Sequence, residues 1–131
     1  MLSRRVPLAR IGRRTRSKYG VALSGKALAH RIYQGVQYDS RAEAEYAQTL
    51  DLCMHSVSPG ERIKSWRRQV PIKLEVNGML VCTYIADFEI EHLDGHLELI
   101  ELKGFATYVW KLKHKLFRAI YPDRKLTVVK A

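Results

Sequence analysis

Six of the thirteen acidic residues of this chain lie between positions 87 and 101: Asp87, Glu89, Glu91, Asp94, Glu98 and Glu101. Carboxylates repel, so two or three drawn to one face call for a cation. A hard divalent ion such as Mg²⁺ is held by one or two carboxylates together with water and substrate phosphate. In Glu101-Leu102-Lys103 an ammonium follows a carboxylate by two residues, which on a strand puts both on one face. An acid to hold metal and a lysine to orient water or offset phosphate charge are equipment for phosphodiester hydrolysis.

Register decides whether Asp87 and Glu101 can meet. A two-residue turn at Asp94-Gly95 would set Asp87 against Leu102 and turn Glu101 away. A three-residue loop, Leu93-Asp94-Gly95, pairs His92 with His96 and sets Asp87 opposite Glu101. That loop wants glycine in the left-handed region at its third position, where Gly95 stands. Glu89, Glu91 and Glu98 read as the solvated face of an antiparallel sheet. Glu43 has two open readings: a carboxylate on a core-facing helical stripe near a metal, or the partner of Ser40 in a capping box. One side chain cannot easily fill both roles.

The elements that must position these residues follow from patterning. Ile32 to Tyr38 suggests a small hairpin turning at Gln34-Gly35. Ser40 starts a helix whose stripe is Tyr46, Ala47, Leu50, Met54 and Val57, stopped by Ser58-Pro59-Gly60. Val70–Val76 alternates and ends at Asn77-Gly78, a hairpin signal. Strands follow over Met79 to about Glu91 and His96 to Lys103. A second helix runs from an N-cap at Thr107 to Tyr121, before Pro122, with Val109, Leu112, Leu116, Phe117 and Ile120 as its buried face. Lys125–Val129 is the last strand. The order αβββαβ describes an α+β domain, a small mixed sheet flanked by helices.

Charge is uneven. The net +10 arises from 23 Lys and Arg against 13 acids, and nine of the basic residues, with no acid, fall in residues 1–38. Positions 1–30 read as a basic arm and 31–131 as the folded domain. Arg13, Arg14, Arg16 and Lys18 of the arm are candidates for gripping a polyanion, most often nucleic acid. A solvated tail and an Arg-rich organellar transit peptide are the competing readings of this segment. Lys111, Lys115 and Arg118 form a basic stripe on the second helix that can track phosphates or face solvent. Tyr108 and Trp110 are expected to pack rather than stack on bases, and His92 and His96 to be exposed. The 47% apolar content excludes a disordered chain, and no run approaches the roughly 18–20 apolar residues of a membrane span. Cys53 and Cys82 make no scaffold or zinc motif, so an intracellular protein is expected.

Asp87, then Glu101-x-Lys103 after a hairpin, with helical Glu43 upstream, resembles the PD-(D/E)XK nuclease superfamily, and more narrowly a phage- and prophage-encoded branch of unassigned function. The resemblance rests on Lys18-Tyr-Gly20, Tyr38-Asp-Ser-Arg-Ala-Glu43, Gln69-Val-Pro71, Tyr84-Ile-Ala-Asp-Phe88, Ile100-Glu-Leu-Lys-Gly104 and Lys111-Leu-Lys-His-Lys-Leu-Phe117. It spans about residues 30–129, and Ala86 stands where the motif has proline. It implies a restriction-endonuclease-like core in which Asp87, Glu101 and the Leu102 carbonyl ligate Mg²⁺ or Mn²⁺. Glu43 would bind the metal directly or through water, Lys103 would position the attacking water, and Gln69 would orient substrate or the lysine.

The expected function is a metal-dependent DNA endonuclease, foremost a Holliday-junction resolvase acting as a homodimer on branched DNA. A flap, nicking or single-strand nuclease and a non-catalytic nucleic-acid-binding protein are the alternatives.

Overall fold

In a computed structural model of the protein, residues 28–131 are described. Arg13, Arg14, Arg16 and Lys18 lie outside the described residues. The chain divides into two compact units, one ending at Glu45 and one running from Tyr46 to Ala131. The first contains the hairpin of β1 (Ile32–Tyr33) and β2 (Val36–Gln37), turning at Gln34-Gly35 with φ of 47° and 77°. Two left-handed residues in succession give the turn whose twist suits the strands on either side.

Helix α1 (Arg41–Met54) starts at a Ser40 cap and passes into the second unit. Glu43, Ala44, Ala47 and Leu50 are its buried residues. Val57 is not part of the stripe: the His55 N–H bonds back to Leu52, tightening the last turn, and Val57 is fully exposed beyond it.

The second unit is built on a four-stranded sheet in the order β3 (Ile63–Val76), β4 (Met79–His92), β5 (Leu97–Lys103), β6 (Lys125–Lys130). The first three are antiparallel, and β6 joins β5 in parallel after crossing over through α2 (Tyr108–Ile120). This is the expected αβββαβ order, with the hairpin added before it. Strand β3 begins at Ile63 rather than Val70, because its polar early residues are matched across the ladder. Lys64 pairs with Glu91 at 3.0 Å and Arg67 with Glu89 at 2.7 Å.

The helices flank opposite faces of the sheet. Tyr84 packs on Phe117 of α2 in a core with Val70, Ile72, Leu74, Ala86 and Leu99. Phe88, only four residues after Tyr84, packs instead on Tyr46 of α1 and on Trp66. On β5, Leu99 joins the α2 core while its neighbour Ile100 pairs across the ladder with Phe88. Residues four apart on a regular strand share a face, so β4 changes face between Ala86 and Phe88. The cause lies opposite: ladder pairs pass from Arg68↔Phe88 to Val70↔Ala86, and Gln69 between them takes φ 52°.

Thr107 caps α2 by accepting the Trp110 N–H at 3.1 Å. The buried seam of α2 differs from the expected one. Phe117 is buried with Trp110, Leu116 and Ile120 packed around it, whereas Val109 and Leu112 are exposed. Two apolar stripes compete on this helix, and the one carrying the large rings of Trp110, Phe117 and Tyr121 fills the space above Tyr84.

Phe117→Ala removes a fully buried ring from the α2 core and should lower unfolding free energy by about 3–5 kcal/mol. Urea denaturation followed by circular dichroism measures it; a loss below about 1 kcal/mol would show that α2 is not packed as described.

Candidate active site

The hairpin between β4 and β5 sets the site. Its pairs are Phe88↔Ile100, Glu89↔Leu99, Ile90↔Glu98 and Glu91↔Leu97. His92 donates its N–H to the His96 carbonyl at 3.0 Å, and Gly95, at φ 90°, donates to His92 at 2.9 Å. This is the three-residue loop Leu93-Asp94-Gly95, and its register carries Asp87 opposite Glu101. Asp94 secures the loop by accepting from His96 backbone and side chain.

Beyond Phe88↔Ile100 the two strands part. β4 continues only along β3, and β5 only along β6. In the fork between them the Asp87 carboxylate accepts the Leu102 N–H at 2.8 Å, in place of a backbone acceptor. Glu101 is 4% exposed, and its two oxygens are engaged separately. Lys103 Nζ lies 3.3 Å from Oε1, and the Tyr84 hydroxyl donates to Oε2 at 2.9 Å. Burial, then the charge of Glu101 and the hydrogen bond to it, push the Tyr84 phenol far above its ordinary value. It therefore stays a donor at any working pH. Asp87 also acts on this phenol electrostatically.

Lys103 is held from its other side as well. Its ammonium sits 4.9 Å from the centre of the Trp110 ring, a cation–π contact. His114 also stacks on Trp110, its ring nearly parallel at 4.9 Å. Burial and the Arg118 guanidinium lower the His114 pKa, against the opposing pull of Glu101, so the ring is neutral at pH 7. From His114 an open groove of about 530 Å³ runs between the end of α2 and β6, past Arg118, Arg124 and Lys125.

Asp87, Glu101, Leu102 and Lys103 are thus brought together, and Gln69 lies at the register position opposite Asp87. Glu43 belongs to the first unit, where it is buried. Its N–H donates to Ser40 Oγ at 3.1 Å, and Ser40 Oγ donates to its Oε1 at 3.4 Å, the contacts of a helix cap. Lys111, Lys115 and Arg118 are exposed on α2. Sequence reasoning missed Tyr84, Trp110 and His114. Tyr84 stands in the same five-residue segment as Asp87, yet only the face switch reveals that it reaches Glu101.

Of the neighbouring acids expected on a solvated face, Glu91 is partly exposed, but Glu89 and Glu98 are not. Glu89 is buried between Arg67 at 2.7 Å and Arg124 at 3.7 Å. Glu98 is bonded by Thr127 at 2.6 Å, His92 at 2.9 Å and Lys125 at 3.3 Å. His92 is consequently half-buried, stacked on His96 rather than free in solvent. Arg67 of β3 and Arg124 and Lys125 around the start of β6 supply the cations.

The donor set there is all oxygen: two carboxylates and the Leu102 carbonyl. Such a set suits Mg²⁺ or Mn²⁺. Among the described residues no three or more His, Cys, Asp or Glu side chains converge as a metal cage, but Mg²⁺ sites commonly use fewer, completed by water and phosphate. Cys53 and Cys82 are free thiols. No helix among the described residues is long and apolar enough to cross a membrane.

Residues 24–131 match the family described as a protein of unknown function, DUF1064, and the chain belongs to that family. No curated protein and no solved structure matches the chain.

Burial raises the Glu98 pKa, but the hydrogen bonds from Thr127, His92 and Lys125 outweigh it and hold the carboxyl below its ordinary 4.5. The ionised form is thus favoured in the fold, and its contribution is present above pH 4.5 and lost as pH falls through the lower folded value. Urea midpoints of the protein should drop between about pH 5 and 3. Glu98→Gln should be less stable at pH 7 and show a flatter acid limb; an identical limb would remove Glu98 from the linkage.

Proposed function

We propose that this protein is a divalent-metal-dependent DNA endonuclease with a restriction-endonuclease-like core, most concretely a homodimeric Holliday-junction resolvase. The observation that carries the reading is the meeting of Asp87, Glu101 and Lys103 at the fork, with Lys103 against both a buried carboxylate and an aromatic face. Asp87, Glu101 and the Leu102 carbonyl would hold Mg²⁺ or Mn²⁺. The bound ion supplies Lewis acidity toward a phosphodiester and lowers the pKa of water.

The chain's own residues do the rest. Tyr84 fixes one Glu101 oxygen and leaves the other to Lys103, so the carboxylate cannot rotate away. The Leu102 N–H fixes Asp87 in the same manner. Lys103, steadied by Trp110, would orient the attacking water and balance charge on the phosphate as the water oxygen bonds to phosphorus and the P–O bond to the leaving sugar oxygen breaks, that oxygen taking a proton from water. Lys111, Lys115 and Arg118 are the exposed cations that would bind flanking phosphates, and Gln69 would aid positioning from across β4. Glu43, also the partner of the Ser40 cap, would bind the metal directly or through water. Arg13, Arg14, Arg16 and Lys18 would add non-specific grip.

The test is cleavage of a labelled four-way junction and a matched linear duplex in Mg²⁺, Mn²⁺ or EDTA. Paired symmetric nicks at the junction, absent in EDTA, are expected. Asp87→Ala and Glu101→Ala should each reduce cutting to the EDTA background, and Lys103→Ala should slow it about 10²–10³-fold, with junction binding retained. Equal cutting of the duplex would leave a nuclease without junction selectivity. Firm binding with no cutting under any metal would make it a nucleic-acid-binding protein.

A further inference from the structure

The stretch from the linker after Lys103 into the first turn of α2 carries two large exposed rings. Phe105 is 82% exposed and Tyr108 is 90% exposed, against the expectation that Tyr108 packs. Residue 105 is only two positions beyond Lys103, so their backbones are within about 7 Å. Tyr108, Lys111, Lys115 and Arg118 recur at a helical spacing that confines them to one sector of about 80°, and all four are exposed. Lys111 Nζ already sits 5.8 Å from the Tyr108 ring centre.

Charge says what covers this face. From Leu102 to Pro122 the chain has five Lys or Arg residues (Lys103, Lys111, Lys113, Lys115 and Arg118) and no acid. Two copies joined through it would oppose like charges. A partner that offers flat aromatic faces together with a regular row of negative charges meets both features, and unpaired nucleotides are that partner. In an intact duplex the base faces are stacked within the helix and closed to a protein ring.

We propose that Phe105 and Tyr108 form a stacking platform for unpaired bases of the nucleic-acid strand at the fork, with Lys111 and Lys115 taking the phosphates beside them. Rings accept any base because each has a π face, so the platform reads strand state rather than sequence. The proposal deepens the nuclease reading by naming the form of substrate. It makes splayed or single-stranded DNA, rather than duplex, the preferred partner of the residues next to Lys103.

Binding alone tests it, which keeps it separable from catalysis. The full chain is titrated, in EDTA, onto a fluorescein-labelled twelve-nucleotide thymidine strand and onto a duplex of equal length, read by anisotropy. Phe105→Ala and Tyr108→Ala should each weaken strand binding about five-fold or more, the double variant further, and duplex binding less than two-fold; Tyr108→Phe should retain strand affinity. Unchanged strand binding in the double variant, or equal losses on strand and duplex, would overturn the platform. So would a dimer in sedimentation that the double variant dissolves, since the patch would then belong to a second copy. A protein that never cuts DNA yet shows the ring-dependent strand preference would sink the nuclease reading and keep this one. Normal cutting with ring-independent strand binding would do the reverse.

Discussion

The Leu102 N–H is where the architecture of the sheet becomes chemistry. A backbone donor inside a sheet needs an acceptor. Here the neighbouring strand has turned away after Phe88↔Ile100, so no carbonyl of β4 is at hand and the Asp87 carboxylate serves instead. The exchange draws an acid into the gap between two strands and fixes it beside Glu101. Because β4 also changes face across from the left-handed Gln69, Tyr84 lies under Glu101 while Phe88 belongs to the other side of the sheet. A regular β4 would place Tyr84 and Phe88 against one helix and leave Glu101 without its phenol donor.

Electrostatic satisfaction elsewhere makes this pair distinct. Glu89 and Glu98 occupy the same strands but are closed off by Arg67, Arg124, His92, Lys125 and Thr127. Their role is cohesion, tying β6 and the start of β3 to the central hairpin. Glu101 has one lysine, and that lysine is shared with an indole ring. From there α2 extends without an acid, with its apolar seam toward the core and its cations outward. The helix therefore stabilises the fold with one side and turns Lys111, Lys115 and Arg118 to the exposed other side.

Much of this was legible in the residues themselves. Gly95 after Leu93-Asp94 permitted the loop that aligns Asp87 with Glu101, because a residue tolerant of positive φ closes that turn. Asn77-Gly78, with φ of 52° and 78°, set the other hairpin in the same local way. Ser40 and Thr107 marked helix starts through hydrogen bonds no more than three residues long. The two-residue spacing of Glu101 and Lys103 fixed their common face without reference to anything distant.

What the tertiary structure alone decided depends on partners remote in sequence. Whether Ile63–Gln69 would be a strand was settled by acids on β4, and whether Glu89 and Glu98 would meet water was settled by cations on β3 and β6. The choice between two apolar stripes on α2 depended on the volume above Tyr84, which favoured Trp110 and Phe117 and left Val109 and Leu112 outside. Tyr84, Trp110 and His114 entered the site for the same reason: each meets its neighbour across the fold. Local spacing can assign a residue to a face, but it carries no information about what the rest of the chain places opposite that face.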